Sequence, residues 1–136
     1  MTATATETRS VVIERDMPFA PDKIWRALTQ PHLIAEWLMQ TDFEPVMDHR
    51  FNLRGDWGSV DCQVIAAEPN KTLSYRWDAM GLESVVTWTL TPTQTGTHLR
   101  MEQAGFRTDQ KQAFGGAHAG WKGFFEKLDQ VLARPE

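Results

Sequence analysis

Hydrophobic positions change period twice along the chain, and the changes mark its elements. Ser10–Met17 (SVVIERDM) is β-branched at its start and then charged, which predicts a first strand. Ile24, Trp25 and Leu28, then Leu33, Ile34, Trp37 and Leu38, are apolar at helical spacing. Pro21 suits the first turn of a helix, whereas Pro31 cannot continue one. Two short helices in a V are expected, the first ending at Thr29 or Gln30 and the second starting near His32.

From Thr41 the period becomes two. Phe51 and Leu53; Val60, Cys62 and Val64; Leu73, Tyr75 and Trp77; Val86, Trp88 and Leu90; and Leu99, Met101 and Gln103 take alternate positions between polar neighbours. Turn sequences separate them: Gly55-Asp56-Trp57-Gly58, with Trp57 at a hairpin tip, Glu68-Pro69-Asn70-Lys71 and Thr93-Gln94-Thr95-Gly96. Regularly spaced strands joined by tight turns predict an antiparallel meander with one packed and one solvated face. Arg50, Arg54, Arg76 and Arg100 fall on the solvated face, where ion pairs with Asp61, Glu83 or Glu102 are expected.

The last run, Asp109–Ala133, returns to helical spacing. Phe114, His118, Trp121, Phe125, Leu128 and Leu132 form one stripe, flanked by Ala113, Ala117, Phe124 and Val131. About 25 helical residues would span ~37 Å at 1.5 Å per residue, enough to cross a small domain. Glycines 115, 116, 120 and 123 weaken its front half, each by about 1 kcal/mol relative to alanine, and could let the helix shift as a ligand enters.

The predicted order is strand, two short helices, about six strands, one long helix. In that order, ERDMPFAPDKIWRALTQPHLIAEWL, SVVTWTLTPTQTGTHLRMEQAGF and AHAGWKGFFEKLDQVL resemble the helix-grip (START-like, SRPBCC) superfamily of START domains, polyketide cyclases and the birch-pollen allergen. The resemblance is strongest to the branch named after the C-terminal domain of the activator of the Hsp90 ATPase, and covers about residues 10 to 133. It implies an α+β helix-grip fold: a curved antiparallel sheet of six to seven strands around the C-terminal helix, with a cavity between. A co-chaperone-like or stress-response role is also implied, but the chain has no room for the domain that accompanies this one in the eukaryotic co-chaperone. One domain over 10–134 behind a flexible tail, 1–9, is expected.

Composition narrows the function classes. A hydrophobic fraction of 41% and a charged fraction of 24% describe an ordinary soluble globule. Net charge −4 without a basic cluster argues against nucleic acid or an anionic membrane as partner. The N-terminal MTATATETRS lacks the apolar core of a signal peptide, and single Cys62 allows no internal disulfide, so a cytoplasmic protein is expected. Cys62 alternates inward and reads as a buried small hydrophobe.

No paired histidine ligands, cysteine cluster, nucleophile elbow or phosphate loop is present, so neither metal nor cofactor nor catalytic group is assigned. His118, the ionisable member of the helical stripe, has two readings. It is a polar anchor or general acid/base facing a cavity, or a satisfied histidine at the helix edge. The six tryptophans against one tyrosine are the other signal. Trp25 and Trp121 read as core; Trp37, Trp77 and Trp88, with Met101, read equally as core or as the wall of a pocket for a flat, greasy ligand. The expected ligand site is Trp37, Trp77, Trp88, Met101, Phe114 and His118, holding a hydrophobic small molecule. Two alternatives stand beside binding: a cyclase- or hydratase-like enzyme using His118, with Tyr75 in support, and a protein-interaction module or homodimer.

Overall fold

The computed structural model describes residues 8–134 apart from 57 and 80, so the expected hairpin-tip position of Trp57 and most of the expected tail lie outside the described residues. The order is β1 (Thr8–Met17), α1 (Pro21–Thr29), α2 (Pro31–Trp37), β2 (Gln40–Thr41), β3 (Arg50–Gly55), β4 (Gly58–Glu68), β5 (Thr72–Ala79), β6 (Leu82–Pro92), β7 (Thr97–Arg107) and α3 (Lys111–Ala133). β1 starts two residues before the expected strand, because Thr8 and Arg9 still pair with Arg107 and Phe106. α3 starts two residues later than expected: Asp109 and Gln110 are used in a turn, where the Gln110 side chain accepts from the Arg107 N–H at 2.9 Å.

Two prolines set the short helices. Pro21 opens α1 and Pro31 opens α2. The residue between the helices, Gln30, is held extended (φ −89°, ψ 122°) as its pre-proline position requires, and serves as the C-cap of α1 and the N-cap of α2. Its N–H donates to Arg26 O at 2.9 Å, and its carbonyl accepts from Leu33 and Ile34.

The sheet runs β1-β7-β6-β5-β4-β3-β2, antiparallel throughout. The period-two residues point inward as their spacing predicts: Val60, Val64, Leu73, Val86, Trp88, Leu99 and Met101 are fully buried. On the outer face Arg76 pairs with Asp78 at 3.3 Å and with Glu83 at 3.9 Å, and Arg100 with Glu102 at 3.3 Å. These pairs are solvated and each contributes under about 1 kcal/mol. The seven-stranded sheet, the two short helices after β1 and the long C-terminal helix make a helix-grip fold.

The two halves of α3 differ. From Trp121 onward the stripe is sealed: Trp121, Phe125, Leu128 and Leu132 are at most 2% exposed, packed where α3 meets α1, α2, β1 and β7. Before Trp121, Ala113, Gly115, Gly116 and His118 are exposed. The helix therefore grips the sheet with its C-terminal half, and its glycine-rich front half stands clear of β5 and β6.

Candidate functional site

Where α3 stands clear there is a half-open apolar cavity of about 350 Å³. Ala113, Gly116, Ala117, Gly120 and Phe124 of α3 form one wall. Trp77 and Ala79 from β5, Leu82 from β6 and Met39 just after α2 form the other, with Gln103 of β7 and Trp121 between them. At 3.6 residues per turn the four small residues (113, 116, 117, 120) share one flank of the helix. A Cβ built on Gly116 would meet nothing within 4 Å, and one on Gly120 only the Phe124 ring edge at 4.0 Å. The front half of the helix thus carries little side chain where the cavity lies, and that absence is what keeps it open.

Gln103 is the polar side chain of the lining, and it is 1% exposed. Its Oε1 accepts from Trp121 Nε1 at 2.7 Å, and its Nε2 donates to Ser84 Oγ at 3.0 Å. Ser84 Oγ donates in turn to the Trp77 carbonyl at 2.7 Å. The chain of bonds ties the Trp121 indole and the backbone of Trp77 to one amide, and the Trp77 and Trp121 rings lie 5.4 Å apart at 48°. Gln103 was legible as a polar residue at an inward period-two position after Leu99 and Met101. That exception to the pattern was its signal, yet it was not among the expected site residues.

The residues expected to line the site divide into three groups. Trp77 lines the cavity. Trp37, Trp88 and Met101 sit in the closed core: Trp37 donates to Ala27 O at 2.8 Å, and Trp88 donates to the Tyr75 hydroxyl at 3.1 Å while packing 5.7 Å from Trp37, Trp121 and Phe125. Phe114 is half-buried on the β1–β7 side, edge-on to Phe106 at 5.5 Å with the Arg9 guanidinium 5.8 Å from its ring.

His118 does not face the helix–sheet space; it is exposed, edge-on to Phe114 at 4.9 Å. The spacing gave the right angle around the helix for the core stripe. However, His118 lies about 60° from Trp121 on the side away from Gly116 and Gly120, at the edge of the stripe, and it is Phe114 that packs against β7. The Tyr75 hydroxyl is occupied by Trp88, and its burial raises its pKa. Neither His118 nor Tyr75 lines the cavity.

A larger cleft of about 580 Å³ lies over the outer face of β3–β5, lined by residues such as Asp42, Arg50, Asp61, Arg76 and Asp78. Small-molecule sites are predominantly apolar with a few placed polar groups, a description that fits the smaller cavity and not this charged one. Cys62 is buried, its thiol facing Val60 O at 3.8 Å, and burial pushes its pKa up, with Asp61 and Asp78 adding to the rise. Among the described residues, no group of three or more His, Cys, Asp or Glu is placed to hold a metal ion, and no helix is long and apolar enough to cross a membrane. Large hydrophobics exposed among the described residues are Val12, Val46, Met47 and Ile65, from β1, the loop before β3, and β4.

Several solved structures share this architecture. The protein MLL2253 from Mesorhizobium loti is 61% identical, with 94% of this chain and 99% of that one covered and a TM-score of 0.91. CalU16 from Micromonospora echinospora is 25% identical over 98% of this chain and 82% of that one (TM-score 0.82). DynU16, a protein in the dynemicin biosynthetic locus, is 26% identical over 90% of this chain, which spans under half (46%) of that chain (TM-score 0.81). Comparison with curated proteins gives no match. Residues 18–133 match the family described as Activator of Hsp90 ATPase homolog 1-like protein, so the chain belongs to that family.

Proposed function

We propose that this protein binds a small hydrophobic or aromatic molecule in the cavity between the front half of α3 and strands β5–β7. The observation that carries the reading is the cavity itself: about 350 Å³ of apolar space, kept open by Gly116 and Gly120 opposite Trp77. Small-molecule pockets run from about 300 to 1,000 Å³, so this one suits a compact ligand of one or two fused rings. That one structural relative comes from the dynemicin biosynthetic locus agrees with small-molecule chemistry. Of the six residues expected for the site, Trp77 carries the reading; the other five lie outside the cavity lining. Binding without turnover is favoured over the enzyme reading, because His118 and Tyr75 do not converge on a common space. A cytoplasmic location belongs to the same reading, supported by the single buried, unpaired thiol.

Tryptophan fluorescence titrated with flat apolar molecules, such as flavonoids and naphthalene derivatives, tests it. Saturable quenching is expected, and it should vanish in Gly120→Leu, which fills the cavity from the helix side. Quenching that survives in folded Gly120→Leu would place the ligand elsewhere, and a flat response across the panel would overturn binding.

A further inference from the structure

The cavity lining contains no ionisable side chain: Met39, Ala79, Leu82, the aromatic rings and the small residues of α3 surround a single carboxamide, Gln103. Its orientation is determined by its neighbours. An indole N–H can only donate, so the atom facing Trp121 at 2.7 Å is Oε1, and Nε2 must be the atom facing Ser84 Oγ. A carboxamide offers two N–H donors and a carbonyl oxygen with two lone pairs. The internal bonds use one of each, which leaves Gln103 one donor and one lone pair on a side chain that is 1% exposed.

Resting on the binding reading above, we infer that the cavity selects an uncharged flat molecule whose hydroxyl, carbonyl or carboxamide meets Gln103, and rejects the carboxylate of the same shape. A carboxylate drawn in would find at most one N–H and no cation in the lining, and losing its hydration without a paired charge is strongly unfavourable. The net charge of −4 adds a weak repulsion at long range. A neutral hydroxyl or amide instead exchanges hydrogen bonds with water for equivalent ones with Gln103, while its rings lie against Trp77 and Trp121. A cation would gain from the indole faces but would find no carboxylate in the lining.

The test uses the intact protein and four matched probes: naphthalene, naphthalene-2-carboxamide, naphthalene-2-carboxylate and 2-naphthylmethylammonium, titrated by calorimetry at pH 7. The carboxamide is expected to bind tightest, with the carboxylate weaker by at least about tenfold, as the burial of an unpaired charge requires. Ala113→Lys places an ammonium on the cavity lining without touching Gln103; by narrowing the cavity it acts on both probes alike, so the expected result is a ratio of carboxylate to carboxamide affinity shifted toward the carboxylate. Gln103→Leu should remove the preference for carboxamide over naphthalene. An unchanged preference in folded Gln103→Leu would overturn the role of Gln103, and if that variant does not fold, the charge comparison on the native protein still decides. Equal binding of carboxamide and carboxylate, or tightest binding of the ammonium, refutes the charge selection while leaving the cavity reading intact. Failure of all four, naphthalene included, removes the cavity reading and this inference with it.

Discussion

The glycines of α3 separate helix stability from cavity volume, and four substitutions exploit this. Gly115 and Gly123 are helical, outside the cavity lining, and a Cβ at either would meet nothing within 4 Å. Neither has its φ in the left-handed range. Alanine at each site restricts the unfolded chain without opposing any contact, so each substitution should stabilise by about 0.5–1 kcal/mol. The two sites are eight residues apart, about 12 Å along the axis, so their effects should add to roughly 1–2 kcal/mol. For a domain of this size that raises Tm by about 4 °C per kcal/mol. Gly116 and Gly120 have the same helical environment but face the cavity, so Gly116→Ala and Gly120→Ala should stabilise similarly while narrowing it. Thermal melts with and without naphthalene-2-carboxamide read both effects. The expected pattern is a higher Tm for both pairs, with the ligand-induced rise retained in the 115/123 pair and reduced in the 116/120 pair. No stabilisation in the 115/123 pair would mean the front of α3 is not helical in solution, and the cavity argument would lose its wall. An undiminished ligand response in the 116/120 pair would place the ligand away from α3.

Three further outcomes follow from the packing. Gly96, in the β6–β7 turn, lies against the β1–α1 link so closely that a Cβ would overlap the Met17 carbonyl oxygen and come within 2.8 Å of the Phe19 nitrogen; Gly96→Ala should destabilise by on the order of 2 kcal/mol in urea denaturation, and a neutral result would contradict that contact. His98 is held by Glu14 at 2.9 Å and Asp16 at 2.7 Å, which raise its pKa in that order. Its stabilisation is therefore fully present below the ordinary histidine value of about 6.5, with the carboxylates ionised, and is lost as pH rises through the raised folded-state value. The Tm advantage of the native protein over His98→Gln should accordingly be larger at pH 5.5 than at pH 9, and a constant difference would refute the pairing. Cys62, buried and with its thiol pKa raised, should resist a thiol-specific reagent in the native protein and react once denaturant unfolds it; rapid native labelling would show that the β3–β4 core is open.

The elements with strong local chemistry were legible in the chain. Pro21 and Pro31 determine where α1 and α2 begin, and the period-two stretches became the buried face of β3 to β7. The identity of the fold needed the resemblance as well, since alternation alone does not order strands in a sheet. The candidate site was much less legible. Periodicity assigned His118 to the apolar stripe of α3 but did not show that it stands at the stripe's edge, about 40° beyond Phe114, so His118 was expected inside and is outside. Large aromatic residues drew the expected site toward Trp37, Trp88 and Met101, which close on one another. The cavity wall on α3 is built of Ala113 and Ala117, read only as flanking the apolar stripe, and of Gly116 and Gly120, read only as weak points in a helix, whose contribution is empty volume.

Trp37, Trp88, Trp121 and Trp77 form an unbroken series with successive ring centres 5.7, 5.7 and 5.4 Å apart. At such spacing the electronic transitions of the rings couple, and light absorbed by one indole migrates among all four before it is emitted. A molecule beside Trp77 would therefore darken rings buried well beyond its own reach, and the depth of quenching would not measure distance to any single tryptophan. The same coupling should give the native protein an exciton couplet in the far-ultraviolet circular dichroism, where the intense indole band absorbs, that disappears when the rings lose their mutual orientation. The interior thus serves as a built-in optical antenna, one end of which opens onto the cavity.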